Sequence, residues 1–173
     1  MINPQELNEF LTNQGLNYFT GVPDSLMSKL CWDLVEQSNL TETDVYTQIV
    51  ANEGIAVANC IGYFLATGRP GVVFLQNAGL GNIYNPIASL CSENVFNIPI
   101  VFLVGWRGDP DTKDEPQHVF QGQITLSTLE ILNLTTITLN PSHNLKYLTD
   151  SGIVQESIEK KKSCVILFAN GAI

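Results

Sequence analysis

The amino-acid sequence predicts an α/β fold, a three-layer αβα domain built on a six-stranded, mostly parallel sheet, and three features predict it. Short runs rich in Val, Ile and Phe alternate with longer segments of helical pattern along the whole chain. The runs GVVFLQ and IPIVFLVG are apolar at successive positions, as in strands covered by helices on both faces; a half-wet sheet would alternate. The chain has 173 residues, 45% hydrophobic and 14% charged, enough to close one substantial core and too few to suggest two. A single domain over residues 1–173 is therefore expected.

In chain order, helical signals at residues 4–14 precede a strand at 18–22, and a helix at 24–37 precedes a strand at 45–50. Asn52 is a plausible N-cap for the next helix, 52–67, in which Gly54, Ala58 and Gly62 recur every four residues. That spacing puts the small residues on one face, where another backbone can approach closely. A strand at 72–76 leads to a helix at 82–92, and a long strand at 98–106 leads to an irregular stretch over 105–122 with two prolines and several charges. Irregular stretches of that length are often functional. A helix at 124–132, a strand at 135–139, a helix at 142–160 and a strand at 165–169 complete the alternation.

Composition excludes some functions. With 8 Lys and Arg against 17 Asp and Glu, the net charge of -9 lacks the electrostatic footprint of a nucleic-acid binder. Small anionic substrates stay open, because a few local cations outweigh a diffuse negative surface. Cys31, Cys60, Cys91 and Cys164 are widely spaced with no CxxC pair, which reads as structural thiols in a reducing compartment. The N-terminus has no leader pattern and no apolar run approaches a membrane span, so a cytoplasmic protein with no membrane partner is expected.

In a parallel α/β sheet, ligands bind outside the carboxyl ends of the strands, which directs attention to four loops. Glu53 stands in the first turn of its helix; the dipole alone accounts for a carboxylate there, but an interface at the small-residue face would desolvate it and favour proton sharing with a ligand. Residues 76–82, QNAGLGN, follow a strand and open a helix, so that their glycines bring backbone close to a ligand. A dinucleotide fingerprint is a poor fit, since Tyr84 occupies the place of the third glycine and Gly105-Trp106-Arg107 stand where an acidic residue would end the next strand. In GVPDS, Asp24 or Ser25 either caps a helix or faces a ligand. Arg107, Lys113 and His118 share a loop with Asp109, Asp111, Asp114 and Glu115, either a solvated loop of mixed charge or an anion site. His143 reads as ordinary surface. No metal-ligand spacing, P-loop or nucleophile elbow occurs.

Four segments in order, GVPDS (21–25), ANEGIAVA (51–58), QNAGLGNIYNP (76–86) and GWRGDPDTKDEPQH (105–118), resemble the pyrimidine-binding domain of thiamine-diphosphate-dependent 2-oxo-acid decarboxylases. The likeness is to the phosphonopyruvate decarboxylases and to the alpha subunits of sulfopyruvate decarboxylases, and it covers essentially the whole chain. It implies that Glu53 is the catalytic carboxylate that bonds the aminopyrimidine ring nitrogen of thiamine diphosphate. Pro23, Ser25, Gln76, Asn77, Gly79, Gly81 and Asn82 would face the cofactor. Asp24, Arg107, Lys113, Gln117 and His118 would meet a small anionic 2-oxo acid. The family's second domain, which carries a GDG motif and holds Mg²⁺ and the diphosphate, has no counterpart in this sequence, so this chain is expected to supply no metal ligand. The resemblance thus implies a carbon-carbon lyase that releases carbon dioxide and phosphonoacetaldehyde only when joined to a diphosphate-binding domain or subunit, and that forms oligomers. A sulfopyruvate decarboxylase alpha subunit, and a non-catalytic association module of the same fold, are the alternatives.

Overall fold

The computed structural model describes residues 1–40 and 44–173. Among them, six strands form one sheet: β1 (Tyr18–Gly21), β2 (Tyr46–Ile49), β3 (Gly71–Gln76), β4 (Ile100–Gly105), β5 (Thr135–Leu139) and β6 (Cys164–Phe168). The order is β2-β1-β3-β4-β6-β5. Every pairing is parallel, so the mostly parallel sheet expected from sequence is parallel throughout the described residues. The chain leaves β1 for β2 on one side and returns to β3 on the other, so the carboxyl ends of β1 and β3 form the switch point at which such sheets place ligands.

Period-two alternation splits the core into two layers. Val72, Phe74, Val101, Leu103, Ile166 and Phe168 face one side of the sheet; Val73, Leu75, Phe102, Val104, Val165 and Leu167 face the other. Helices α1 (Pro4–Asn13), α2 (Ser28–Ser38), α6 (Leu145–Ser151) and α7 (Ile153–Lys160) cover the first face through Leu7, Leu11, Leu30, Leu34, Leu148 and Val154. Helices α3 (Glu53–Thr67), α4 (Leu80–Pro86) and α5 (Pro116–Ile131) cover the second through Val57, Cys60, Leu80, Ile83 and Leu129. Each fully buried Leu, Ile or Phe contributes about 1.5–3 kcal/mol relative to an exposed one, so this double layer, not local propensity, holds the fold.

Several boundaries differ from the sequence expectation for identifiable reasons. The irregular stretch ends early because α5 begins at Pro116, where proline fits the first helical position and its missing N–H is not needed. The helix expected at 82–92 is α4 followed by a π turn, Ile87–Cys91, because Pro86 lies inside it and cannot donate to the ladder. The helix expected at 24–37 opens with a 3-10 turn, Ser25–Met27. The helix expected at 142–160 is two, divided at Gly152, whose φ of 67° closes α6. Gly152→Ala is expected to cost about 1–2 kcal/mol, since a Cβ strains that conformation. Thermal denaturation should show a fall of about 2–8 °C.

The four thiols are buried, as expected for structural cysteines, and burial pushes Cys31 and Cys164 up to about 11 and Cys91 to about 12. None carries thiolate near neutral pH.

Candidate active site

The carboxyl ends of the central strands are level, with Gln76 beside Gly105 and Gly105 beside Phe168 in the register. The loops that follow therefore converge on one rim. Glu53 is brought there by α3, whose start is fixed by Asn52: its Oδ1 accepts from Gly54 N at 2.8 Å. Glu53 is half-buried, and its Oε2 accepts from Asn82 Nδ2 at 2.7 Å. A Cβ on Gly79 would lie 2.4 Å from Glu53 Oε1, so a side chain there would displace the carboxylate from this position. Gly81 has open space at the same test and is exposed. Gly54 meets the backbone carbonyl of Asn82, whereas Ala58 and Gly62, the rest of the small-residue face, are exposed.

A second group lies across β3. Asp24, only 4% exposed, does not cap the helix after it; its Oδ1 accepts from Gln76 Nε2 at 2.9 Å, and its Oδ2 is buried without a partner among the described residues. A Cβ on Gly105 would fall 1.9 Å from that oxygen, so the end of β4 must be glycine for the carboxylate to fit. Arg107 Nη1 donates to Ser25 Oγ at 2.9 Å, which joins the loops after β1 and β4. Asn77 is buried and fully engaged: its Nδ2 donates to Arg107 O and Thr125 Oγ1, each at 2.9 Å, and its Oδ1 accepts from Arg107 N. Its side chain braces the Arg107 backbone, with both amide hydrogens engaged.

Pro23, Lys113 and Gln117 are exposed at the rim. His118 is half-buried, with its Nδ1 buried and unpartnered among the described residues. His143 stacks on Tyr147 at 3.9 Å and lies outside this group. A cavity of about 170 Å³ beside Cys91, Asn97, Asn133 and Lys162 lies at the amino ends of β4–β6 and holds none of these residues.

Asp114, which the sequence offered only as one charge among several, anchors the loop. Its carboxylate accepts from Arg107 Nε (2.7 Å) and Nη2, from Gly108 N (2.8 Å) and from Glu115 N (2.8 Å). The bonded guanidinium holds its carboxyl well below the usual carboxylate range. A depressed folded value means that this stabilisation is complete above the unfolded value near pH 4 and is lost as pH falls further. The difference in melting temperature between wild type and Asp114→Asn should therefore be constant from about pH 5 to 7 and shrink below about pH 4.

Residues 5–131 match the family model described as the thiamine pyrophosphate enzyme, N-terminal TPP binding domain. The chain belongs to this family. Proteins similar to this chain include a phosphonopyruvate decarboxylase of Streptomyces viridochromogenes, 37% identical over 136 residues that make up 78% of this chain and 32% of the relative. A phosphonopyruvate decarboxylase of Streptomyces hygroscopicus is 37% identical over 72% of this chain and 29% of the relative. The sulfopyruvate decarboxylase subunit alpha of Methanococcus maripaludis is 29% identical over 86% of this chain and 84% of the relative. The chain thus spans about a third of the two Streptomyces proteins, by their 32% and 29% coverage. Among the described residues, no group of three or more His, Cys, Asp or Glu is suited to a metal, and no helix is long and apolar enough to cross a membrane.

Proposed function

We propose that this chain is the pyrimidine-binding half of a thiamine-diphosphate-dependent decarboxylase of phosphonopyruvate. The observation that carries the reading is Glu53: a half-buried carboxylate at the rim, one oxygen held by Asn82 and the other packed against Gly79. These residues fit the aminopyrimidine of the cofactor, since Asn82 fixes the carboxylate through Oε2 and Gly79 adds no side chain beside Oε1. Glu53 would hold a proton at the ring nitrogen, and Asn82 would keep Oε1 turned toward it. When bound, the cofactor supplies the electron sink for loss of carbon dioxide. Gly79 and Asn82 would contact the cofactor directly, with Gly81 and Pro23 at the rim; Gln76 and Asn77 would act by holding Asp24 and Arg107 in place. Arg107, with Lys113, Gln117 and His118 around it, would receive the anionic end of the substrate. Mg²⁺ and the diphosphate would be held by a second domain or subunit.

That partner fits the surface. Ile55 and Leu65 on α3, and Phe120, Leu126 and Ile131 on α5, are between 47% and 73% exposed, and the α3 side chains lie beside the bare positions Ala58 and Gly62. Gly62→Ala should stabilise the isolated chain by up to about 1 kcal/mol through helix propensity, yet weaken its association. Melting and sedimentation velocity together check this; gain in both would remove α3 from the interface. For the activity, turnover of phosphonopyruvate and sulfopyruvate is measured with the chain, its diphosphate-binding counterpart, thiamine diphosphate and Mg²⁺. Preferred turnover of phosphonopyruvate is expected. Preference for sulfopyruvate would assign the chain to the alternative, the alpha subunit of a sulfopyruvate decarboxylase, and inactivity of a formed complex would leave an association module.

A further inference from the structure

We propose that Arg107 and the Ser25 hydroxyl together form a receptor for a tetrahedral anion, and that Asp114 is the positioning residue that shapes it. The assignment rests on the decarboxylase reading for its substrate, which would enter as a phosphonate or sulfonate tail. A guanidinium has five N–H donors in a fixed plane. Asp114 takes Nε and one hydrogen of Nη2, the side-on pair, and Ser25 Oγ takes one hydrogen of Nη1. One donor on Nη1 and one on Nη2 are left. Ser25 Oγ accepts from the guanidinium, so its own O–H is free to donate. Three donors from the loops after β1 and β4 thus meet on the rim beside the switch point, matching the three acceptor oxygens of a phosphonate or sulfonate. A 2-oxo acid with a neutral tail would leave them unmatched.

Asp114 can impose that orientation because it is itself fixed. Gly108 N and Glu115 N bind the same carboxylate, so it cannot swing with the arginine, and a bidentate fork permits one guanidinium plane. The pair also lowers the local charge, so that selection falls on geometry more than on the number of anionic charges. Lysine at position 107 would keep a charge and lose the plane.

Asp109 provides an internal control. It ties the same loop through Asp111 N, Thr112 Oγ1 and Asn170 N, and makes no bond to Arg107. Steady-state kinetics of the two-part holoenzyme are compared for Asp114→Asn, Asp109→Asn and Ser25→Ala. Asp114→Asn should raise KM for the phosphonate or sulfonate substrate about tenfold or more, as for other groups that orient a binding residue, with kcat and the Kd for thiamine diphosphate changed less than about threefold. Ser25→Ala should raise KM about fivefold or more by removing a donor to a charged group. Asp109→Asn should leave KM near wild type, and Asp114→Glu should recover part of the loss. If Asp114→Asn changes KM no more than Asp109→Asn does, or lowers cofactor affinity equally, the positioning role is overturned. Should Asp114→Asn fail to fold, an unchanged KM in Ser25→Ala overturns the receptor on its own. Calorimetric titration with methylphosphonate separates this inference from the reading beneath it. Weak binding lost in Ser25→Ala upholds the receptor even where no 2-oxo acid is turned over, and turnover without any such dependence upholds the decarboxylase and removes the receptor.

Discussion

Glu53→Gln is expected to lower turnover by at least about a hundredfold, the scale on which positioned proton-transfer groups contribute. The variant isolates chemistry from shape. Glutamine keeps the volume and one oxygen to accept from Asn82 Nδ2, but its second group cannot exchange a proton with a ring nitrogen. The fold should be indifferent to the change, because Glu53 is half-buried at a helix start capped independently by Asn52 and joins none of the salt bridges found among the described residues. A shift in melting temperature of less than about 2 °C is expected, as for substitutions away from core and caps. Turnover by the two-part enzyme beside a circular-dichroism melt checks both halves. Full turnover would mean that this chain contributes surface and not chemistry.

Gly122→Ala is expected to damage the loop that carries Arg107. Gly122 lies in α5 where the helix meets the loop after β4, and a Cβ there would fall 1.7 Å from the Gly108 carbonyl oxygen. Backbone, not a flexible side-chain end, is in the way, so the helix and loop must separate. The buried bond from Trp106 Nε1 to Gly122 O, 2.9 Å, would be strained with them. Overpacking of this kind costs about 1–3 kcal/mol, against which alanine's helix preference returns about 1 kcal/mol. We expect a melting temperature lower by up to about 8 °C, and a KM for the anionic substrate raised as Arg107 leaves Ser25. Fluorescence offers a direct view, because Trp106 is 8% exposed and Trp32 is 68% exposed: a red shift in emission reports Trp106 becoming wet. An unchanged spectrum and KM would show that the loop does not depend on this contact.

The sequence carried the parts of this protein that are local or periodic. Runs such as GVVFLQ and IPIVFLVG, apolar on both faces, require helices on both sides of the sheet, and the structure places them there as β3 and β4. Glu53 was legible as a carboxylate in the first turn of a helix with small residues four apart, with its catalytic role implied only by the family resemblance, and QNAGLGN because glycines after a strand mark close approach. The N-cap at Asn52 was legible for the same local reason. Prolines misled where their role depends on position: Pro116 reads as loop but opens α5, and Pro86 sits inside a helix that continues as a π turn.

The residues that shape the site were decided by tertiary structure. Arg107 and Ser25 are 82 positions apart and meet because parallel strands bring successive loops to the same rim, whereas Asn77 and Thr125, 48 apart, meet because α5 packs against the turn after β3. Nothing in the composition of a mixed-charge loop distinguishes Asp114, which anchors Arg107, from Asp109, which anchors Asn170, since the distinction lies in which donors the fold presents to each carboxylate. Nor does sequence separate Gly79, pressed against Glu53, from Gly81, which faces open space two residues later. The alternation of strand and helix by itself determined the architecture and the rim on which the candidate site lies, because periodicity follows from which faces must leave water. The partner of each polar group on that rim was fixed only by the folded chain, because a hydrogen bond depends on distances that long-range packing sets.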